Sequence, residues 1–230
     1  MTTTAAGGTG PNAVPLSARA VLWDMDGTLV DTEPYWIRAE YALVGRFGGT
    51  WSTEHAHALV GNDLLTTARY IRQHGGVDLA PETIVEELLD GVVAQVRQLV
   101  PWRPGARELL GMLADLQVPC ALVTMSYRRL ADAVVSQLPA GTFDVVVTGD
   151  VVDRGKPHPE PYLTAARHLA VDPRECVAIE DSPTGVASAV AAGMPVLGVE
   201  HLVPLPAGPG LHVVDTLTGL DVADLLRLGR

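Results

Sequence analysis

The 230-residue chain is expected to fold as α/β, a doubly wound parallel sheet with an all-helical insert after its first strand. Three observations point there. Short apolar runs recur as "AVLWD", "CALVTM", "FDVVVTG", "CVAIED" and "PVLGV". Helical patterns such as "GARELLGMLADLQ", "RRLADAVVSQL" and "PYLTAARHLAV" separate the later ones. Between the first run and the second lie about ninety residues, far more than one crossover helix needs, and their patterns are helical throughout. Apolar runs of this kind suit strands buried on both faces, as in a parallel sheet with helices on each side.

In chain order, residues 1–15, rich in Thr, Gly and Ala, read as a mobile tail. The sheet domain is expected to comprise residues 16–31 and 101–230, with residues 32–100 as the helical insert. Its pieces are "EPYWIRAEYALVGRFG", "STEHAHALVG", "DLLTTARYIRQHG" and "PETIVEELLDGVVAQVRQL". Ser52 and Asp63 stand where helix N-caps belong, and Pro81 stands at a first helical position. After the insert, strand and helix alternate. No internal repeat interrupts them.

Composition narrows the function. Hydrophobic residues make up 47% of the chain and mean hydropathy is positive, which marks a folded globular protein. A net charge of −11 excludes nucleic acid and anionic membrane as the main partner, since phosphates would be repelled. A small molecule is the expected partner, and the chain is expected to act as a monomer or weak homodimer. No run approaches the length of a membrane span, and the start lacks a basic and apolar leader, so the cytoplasm is the expected compartment. Cys120 and Cys176 lie inside apolar runs and read as buried free thiols.

Polar residues end each strand, where open parallel sheets bind their ligands. The first strand delivers Asp24 and Asp26, the second Thr124 and Ser126, and "CVAIED" delivers Glu180 and Asp181. Lys156, in "GKPHPEPY", is the only lysine, against 15 arginines. Four converging carboxylates repel one another unless a cation offsets them. Mg²⁺ suits a site with few carboxylates, several waters and a substrate phosphate. With the lysine, the hydroxyls and the small loop residues around Gly27, such a site can surround a transferring phosphoryl group. One aspartate is then free to attack phosphorus.

Four stretches, "DMDGTLVDTEP", "LVTMS", "GKPHPEPY" and "IEDSPTGVASAVAAGM", resemble in order and spacing the motifs of the haloacid dehalogenase superfamily. The similarity is to its branch of helical-capped sugar phosphatases and β-phosphoglucomutases, and it extends from Arg19 onward. It implies a Rossmann-like core whose insert is a cap, and a Mg²⁺-dependent phosphatase of small monoesters, sugar or sugar-alcohol phosphates first. It also implies Asp24 as nucleophile and Asp26 as general acid and base. Gly27, Thr124, Ser126 and Lys156 would bind the phosphoryl group. The metal would rest on the Asp24 carboxylate, the Asp26 carbonyl and Asp181, with Glu180 ligating directly or through water. Tyr35 and Trp36 would give the cap an aromatic floor.

Several residues carry plainer readings. Asp31 and Asp150 read as turn or cap aspartates, Ser182-Pro183 as a helix start, and Arg69 and Arg72 as a solvated face. His55 and His57, two apart on a helix, point to different sides and are not a metal pair. Dehalogenases lack the second acid that Asp26 supplies, and phosphonate hydrolases need a cap lysine that is absent here. A β-phosphoglucomutase-like activity requires a basic cap anchor for a second phosphate. Where those mutases carry an arginine shortly after a glycine resembling Gly61, this chain has Leu64 beside Asp63, and Trp36 replaces a histidine. A nucleotide or flavin monophosphate is the remaining alternative leaving group. Receiver domains place their acidic pair first and their acceptor later, the reverse of the order here.

Overall fold

The computed structural model of the protein describes residues 18–59 and 63–229. The tail assigned to residues 1–15, and Gly61, lie outside the described residues. Strand β1 (Ala20–Trp23) is followed by α1 (Glu33–Arg46), α2 (Thr53–His57), α3 (Leu64–His74) and α4 (Pro81–Gln98), which form the helical cap. The chain then returns through α5 (Ala106–Asp115), β2 (Cys120–Val123), α6 (Arg128–Val135), β3 (Val145–Val147) and α7 (Glu160–Leu169). It ends with β4 (Cys176–Glu180), α8 (Pro183–Ala191), β5 (Val196–Val199), β6 (Leu211–Val214) and α9 (Val222–Leu226).

The described strands form one parallel sheet in the order β3-β2-β1-β4-β5-β6. The chain winds outward from β1 through β2 to β3, then restarts on the other side of β1 with β4. That reversal puts the switch point between β1 and β4, where a doubly wound sheet opens a crevice at its carboxyl edge.

Strand alternation sorts the core into two layers. Val21, Trp23, Leu122, Val177 and Ile179 face Leu109 and Leu113 of α5, Leu130 and Val134 of α6, and Leu225 of α9. Ala20, Leu22, Val123 and Ala178 face Tyr162 and Ala165 of α7 and Ala189 of α8. The cap packs Leu43 and Val44 of α1 with Ile71 of α3 and Ile84, Leu88 and Val92 of α4, in apolar continuity with the first layer.

Local signals place the cap helices. The Ser52 hydroxyl accepts from His55 N, and the Asp63 carboxylate accepts from Thr66 N at 2.9 Å, so both caps form as expected. Pro81 opens α4. One strand was not expected: β6, the half-exposed edge "LHVV", follows a Pro- and Gly-rich loop and lacks the continuous apolar run that marks the other strands. Cys120 and Cys176 are buried and free.

Candidate active site

The turn after β1 is shaped by one glycine. Asp24 N continues the ladder by donating to Ile179 O at 3.0 Å, and Val30 N then donates back to Met25 O at 3.0 Å. Gly27, at φ +93°, lets the backbone pass Asp181 so closely that a Cβ would lie 2.0 Å from Asp181 Oδ2. The next residue, Thr28, donates its hydroxyl to Asp181 Oδ1 at 3.1 Å. The ends of β1 and β4 are thereby tied across the switch point.

Lys156 closes the floor. Its Nζ donates to Asp24 Oδ1 at 2.6 Å, Glu180 Oε1 at 2.6 Å and Val123 O at 2.9 Å, so all three ammonium hydrogens are used. Tyr162 of α7 donates its hydroxyl to Glu180 Oε1 at 2.8 Å, and the Ser182 hydroxyl and Asp181 N each donate to Oε2 at 3.2 Å. Glu180 is fully buried and hydrogen-bonded on both oxygens. Burial alone would lower the Lys156 pKa, but the charges of Asp24 and Glu180 override it and hold the ammonium well above its usual range.

The carboxylates outnumber that cation. Burial first, resisted by Lys156 but aided by Glu180 and Asp181, pushes Asp24 well above the usual carboxylate range. Burial and the Glu180 charge push Asp181 up to about 7. One oxygen each from Asp24, Glu180 and Asp181 lies within 4.8 Å of the others, and Asp24 Oδ2 is buried without a partner. Hard oxygen donors and surplus negative charge fit a divalent cation such as Mg²⁺.

Asp26 points to a different set of partners. Thr32 donates to its Oδ1, while Ser126 Oγ at 2.8 Å and Thr124 Oγ1 at 3.2 Å donate to Oδ2. Thr124 Oγ1 in turn accepts from Ser126 N at 3.0 Å. The hydroxyls expected to meet phosphoryl oxygens are therefore engaged with the Asp26 carboxylate, although both residues line the same cavity.

That cavity, of about 210 Å³, lies between sheet and cap. Asp24, Asp26, Gly27, Lys156 and Asp181 form its floor, and Glu33, Trp36, Glu40, Leu64 and Thr67 its cap side. Burial, with the charges of Asp26 and Asp31, raises the Glu33 pKa to about 7. Burial also raises Glu40 to about 7 against the opposing hydrogen bond from Trp51. Tyr35 corrects an expectation: it is buried, away from the cavity lining, and its hydroxyl donates to Leu99 O at 2.9 Å. Adjacent helical positions diverge by about 100°, which is enough to turn Tyr35 toward Leu99 while Trp36 lines the cavity.

The family model of haloacid dehalogenase-like hydrolases matches residues 21–199, from β1 through β5. The chain belongs to this family. Among curated relatives of this haloacid dehalogenase-like hydrolase, hexitol phosphatase B of Escherichia coli strain K12 is 30% identical over 225 residues, 93% of this chain and 99% of the relative. Hexitol phosphatase A of the same strain is 34% identical over 211 residues, 87% of this chain and 90% of the relative. In three dimensions the chain resembles CbbY from Rhodobacter sphaeroides in complex with phosphate, with a TM-score of 0.82 and 26% identity. That match covers 90% of this chain and 99% of CbbY. The protein is a phosphoric monoester hydrolase of the haloacid dehalogenase-like family.

Around this family site stand residues that the sequence left unmarked. Thr28, Thr32 and Tyr162 support the carboxylates, and each lies inside a quoted motif. Glu33 and Glu40 carried a readable signal, since with Trp36 they share one helical face. His201 carried none. It lines the cavity from the loop after β5, with its ring nitrogens 3.1 Å from Asp31 Oδ1 and 2.9 Å from Arg103 Nη1, so it ties that loop to both chain crossings into the cap. Asp150 accepts from Arg128 N at 3.1 Å, a capping role for α6.

Proposed function

We propose that the protein is a Mg²⁺-dependent phosphatase of sugar or sugar-alcohol monophosphates that works through an aspartyl phosphate on Asp24. The observation that carries this reading is the asymmetry of Asp24: Oδ1 is held by Lys156, and Oδ2 is buried with no partner. The kinship with hexitol phosphatases supports the substrate class.

In the first step Asp24 Oδ2 attacks phosphorus, the ester P–O bond breaks, and protonated Asp26 gives its proton to the leaving alkoxide. Lys156 keeps Asp24 Oδ1 neutralised and fixes the carboxyl plane. In the second step Asp26, now a carboxylate, takes a proton from water as its oxygen attacks phosphorus. The bond from Asp24 Oδ2 to phosphorus then breaks and inorganic phosphate leaves. Thr32, Thr124 and Ser126 hold the Asp26 carboxyl for both transfers. The Asp24 and Asp181 carboxylates with the Asp26 carbonyl would hold Mg²⁺, whose charge offsets that of the phosphoryl oxygens, with Glu180 behind them. The cap excludes water until the alcohol has left.

A mutase would need a cation on the cap side, where the cavity instead presents Asp63 and Leu64. The test is phosphate release with and without Mg²⁺ from sugar, sugar-alcohol, nucleotide and flavin monophosphates. β-Glucose 1-phosphate with a trace of its bisphosphate runs beside them. Release of phosphate from the sugar class, dependent on Mg²⁺, is expected. Glucose 6-phosphate formed without free phosphate would overturn the reading in favour of a mutase, and release confined to nucleotides or flavin monophosphate would overturn the substrate class.

A further inference from the structure

Residues Glu33, Trp36 and Glu40 are spaced three and four apart on α1, so they share one helical face, and all three line the cavity. Glu40 is only 4% exposed, and its Oε2 accepts from Trp51 Nε1 at 3.1 Å, which fixes the carboxyl while Oε1 has no partner among the described residues. The Glu33 carboxylate makes no hydrogen bond within the described residues. Thr67 of α3 adds a hydroxyl nearby. An indole face between two carboxylates offers an apolar surface for C–H groups and acceptors for the O–H groups beside them.

Equally informative is where the cations are. Lys156 is the sole lysine or arginine among the described lining residues, and its three hydrogens are committed. Three cap arginines are engaged elsewhere: Arg38 donates to Gln95 Oε1 at 2.6 Å, Arg46 pairs with Glu87 and Arg72 with Asp78, and neither Arg69 nor Arg97 is among the described lining residues. Residues 60–62 are Val, Gly and Asn, so by sequence they supply no cation either. A second phosphate or a carboxylate on the leaving group would meet Glu33, Glu40 and Asp63, with no arginine and no lysine besides Lys156 among the described lining residues to neutralise it.

We propose that Glu33, Trp36 and Glu40 form the specificity subsite of this phosphatase. It binds an uncharged leaving group carrying several hydroxyls through C–H contact with the indole and O–H donation to the two carboxylates. The same carboxylates reject leaving groups that carry a second anion. This inference rests on the phosphatase reading and extends it to the alcohol half of the substrate.

The test compares a hexitol 6-phosphate, the matching 1,6-bisphosphate and acetyl phosphate, each with Mg²⁺ and the full chain at about pH 8, above the pKa of about 7 to which burial raises both glutamates. Acetyl phosphate has no hydroxylated leaving group and reports on the phosphoryl site alone. The wild type is expected to show a kcat/KM for the monophosphate at least roughly 100-fold above that for the bisphosphate. The isosteric double variant Glu33→Gln/Glu40→Gln is expected to narrow that gap at least about tenfold, chiefly through a lower KM for the bisphosphate. Trp36→Ala is expected to raise KM for the hexitol phosphate about tenfold more than for acetyl phosphate, with Trp36→Phe restoring most of the difference. Equal kcat/KM for mono- and bisphosphate, or variants that change all three substrates in parallel, would overturn the subsite. A folded wild type that leaves acetyl phosphate intact would overturn the phosphatase reading itself, and the subsite with it.

Discussion

Lys156 Nζ lies 2.6 Å from Asp24 Oδ1, pinning one oxygen of a carboxylate whose other oxygen is buried and unbonded. The same ammonium lies 2.6 Å from Glu180 Oε1, so a single cation is shared between two buried carboxylates. Lys156→Met is therefore expected to abolish turnover and to cost about 3–5 kcal/mol, because it leaves both charges unpaired in the interior. Urea unfolding beside phosphate release checks both halves. An inactive variant of wild-type stability would contradict the structural half.

Asp26 is oriented by three hydroxyls, from Thr32, Thr124 and Ser126, and is not tied to Lys156. Asp26→Asn is expected to lower kcat for a sugar-alcohol phosphate by about 10²–10⁴. For an aryl phosphate, whose leaving group needs little protonation, the first step should suffer far less. Single-turnover kinetics on the two substrates separate the cases, and equal losses in the first step would refute the proton-donor role.

Glu40 sets a pH dependence of stability. Its pKa rises from 4.5 to about 7 on folding, chiefly through burial. Between those values the native state keeps a proton that the unfolded state has lost, so raising the pH favours unfolding, and the penalty is complete above the folded pKa. At about 1.4 kcal/mol per unit the cost approaches about 3 kcal/mol. Glu40→Gln keeps an acceptor for Trp51 Nε1 and removes the charge. Its stability gain over wild type should be small near about pH 5 and reach about 2–3 kcal/mol near about pH 8. Thermal denaturation across that range checks the sign, and a gain that shrinks as pH rises would contradict it.

Gly27 is required twice over, for its φ of +93° and for the 2.0 Å that separates its missing Cβ from Asp181 Oδ2. Gly27→Ala must displace Asp181. The expected result is a folded protein that needs about tenfold or more Mg²⁺ for half-maximal activity. An unchanged Mg²⁺ requirement would mean that Asp181 plays no part in holding the metal.

The sheet was legible because β1, β2 and β4 are buried on both faces and so read as unbroken apolar runs. The residues just past their ends were legible because polar groups there have no structural reason to cluster. β6 escaped because an edge strand has one open side and needs no such run. The resemblance that pairs Tyr35 with Trp36 does not distinguish their directions, and the helix turns Tyr35 onto Leu99 O and Trp36 onto the cavity. Glu33 and Glu40 were visible in "EPYWIRAE" only to a reading by helical face. His201 was beyond reach, since what makes it notable is its approach to Asp31 and Arg103 from a distant loop.

The most direct test of the central claim is rapid acid quench of the enzyme during turnover of its best monophosphate, radiolabelled in the phosphoryl group, followed by peptide mapping. A base-labile label is expected on the peptide carrying Asp24, formed before phosphate appears and absent from Asp24→Asn. Steady phosphate release with no labelled protein at any time, or label on a peptide without Asp24, would contradict it.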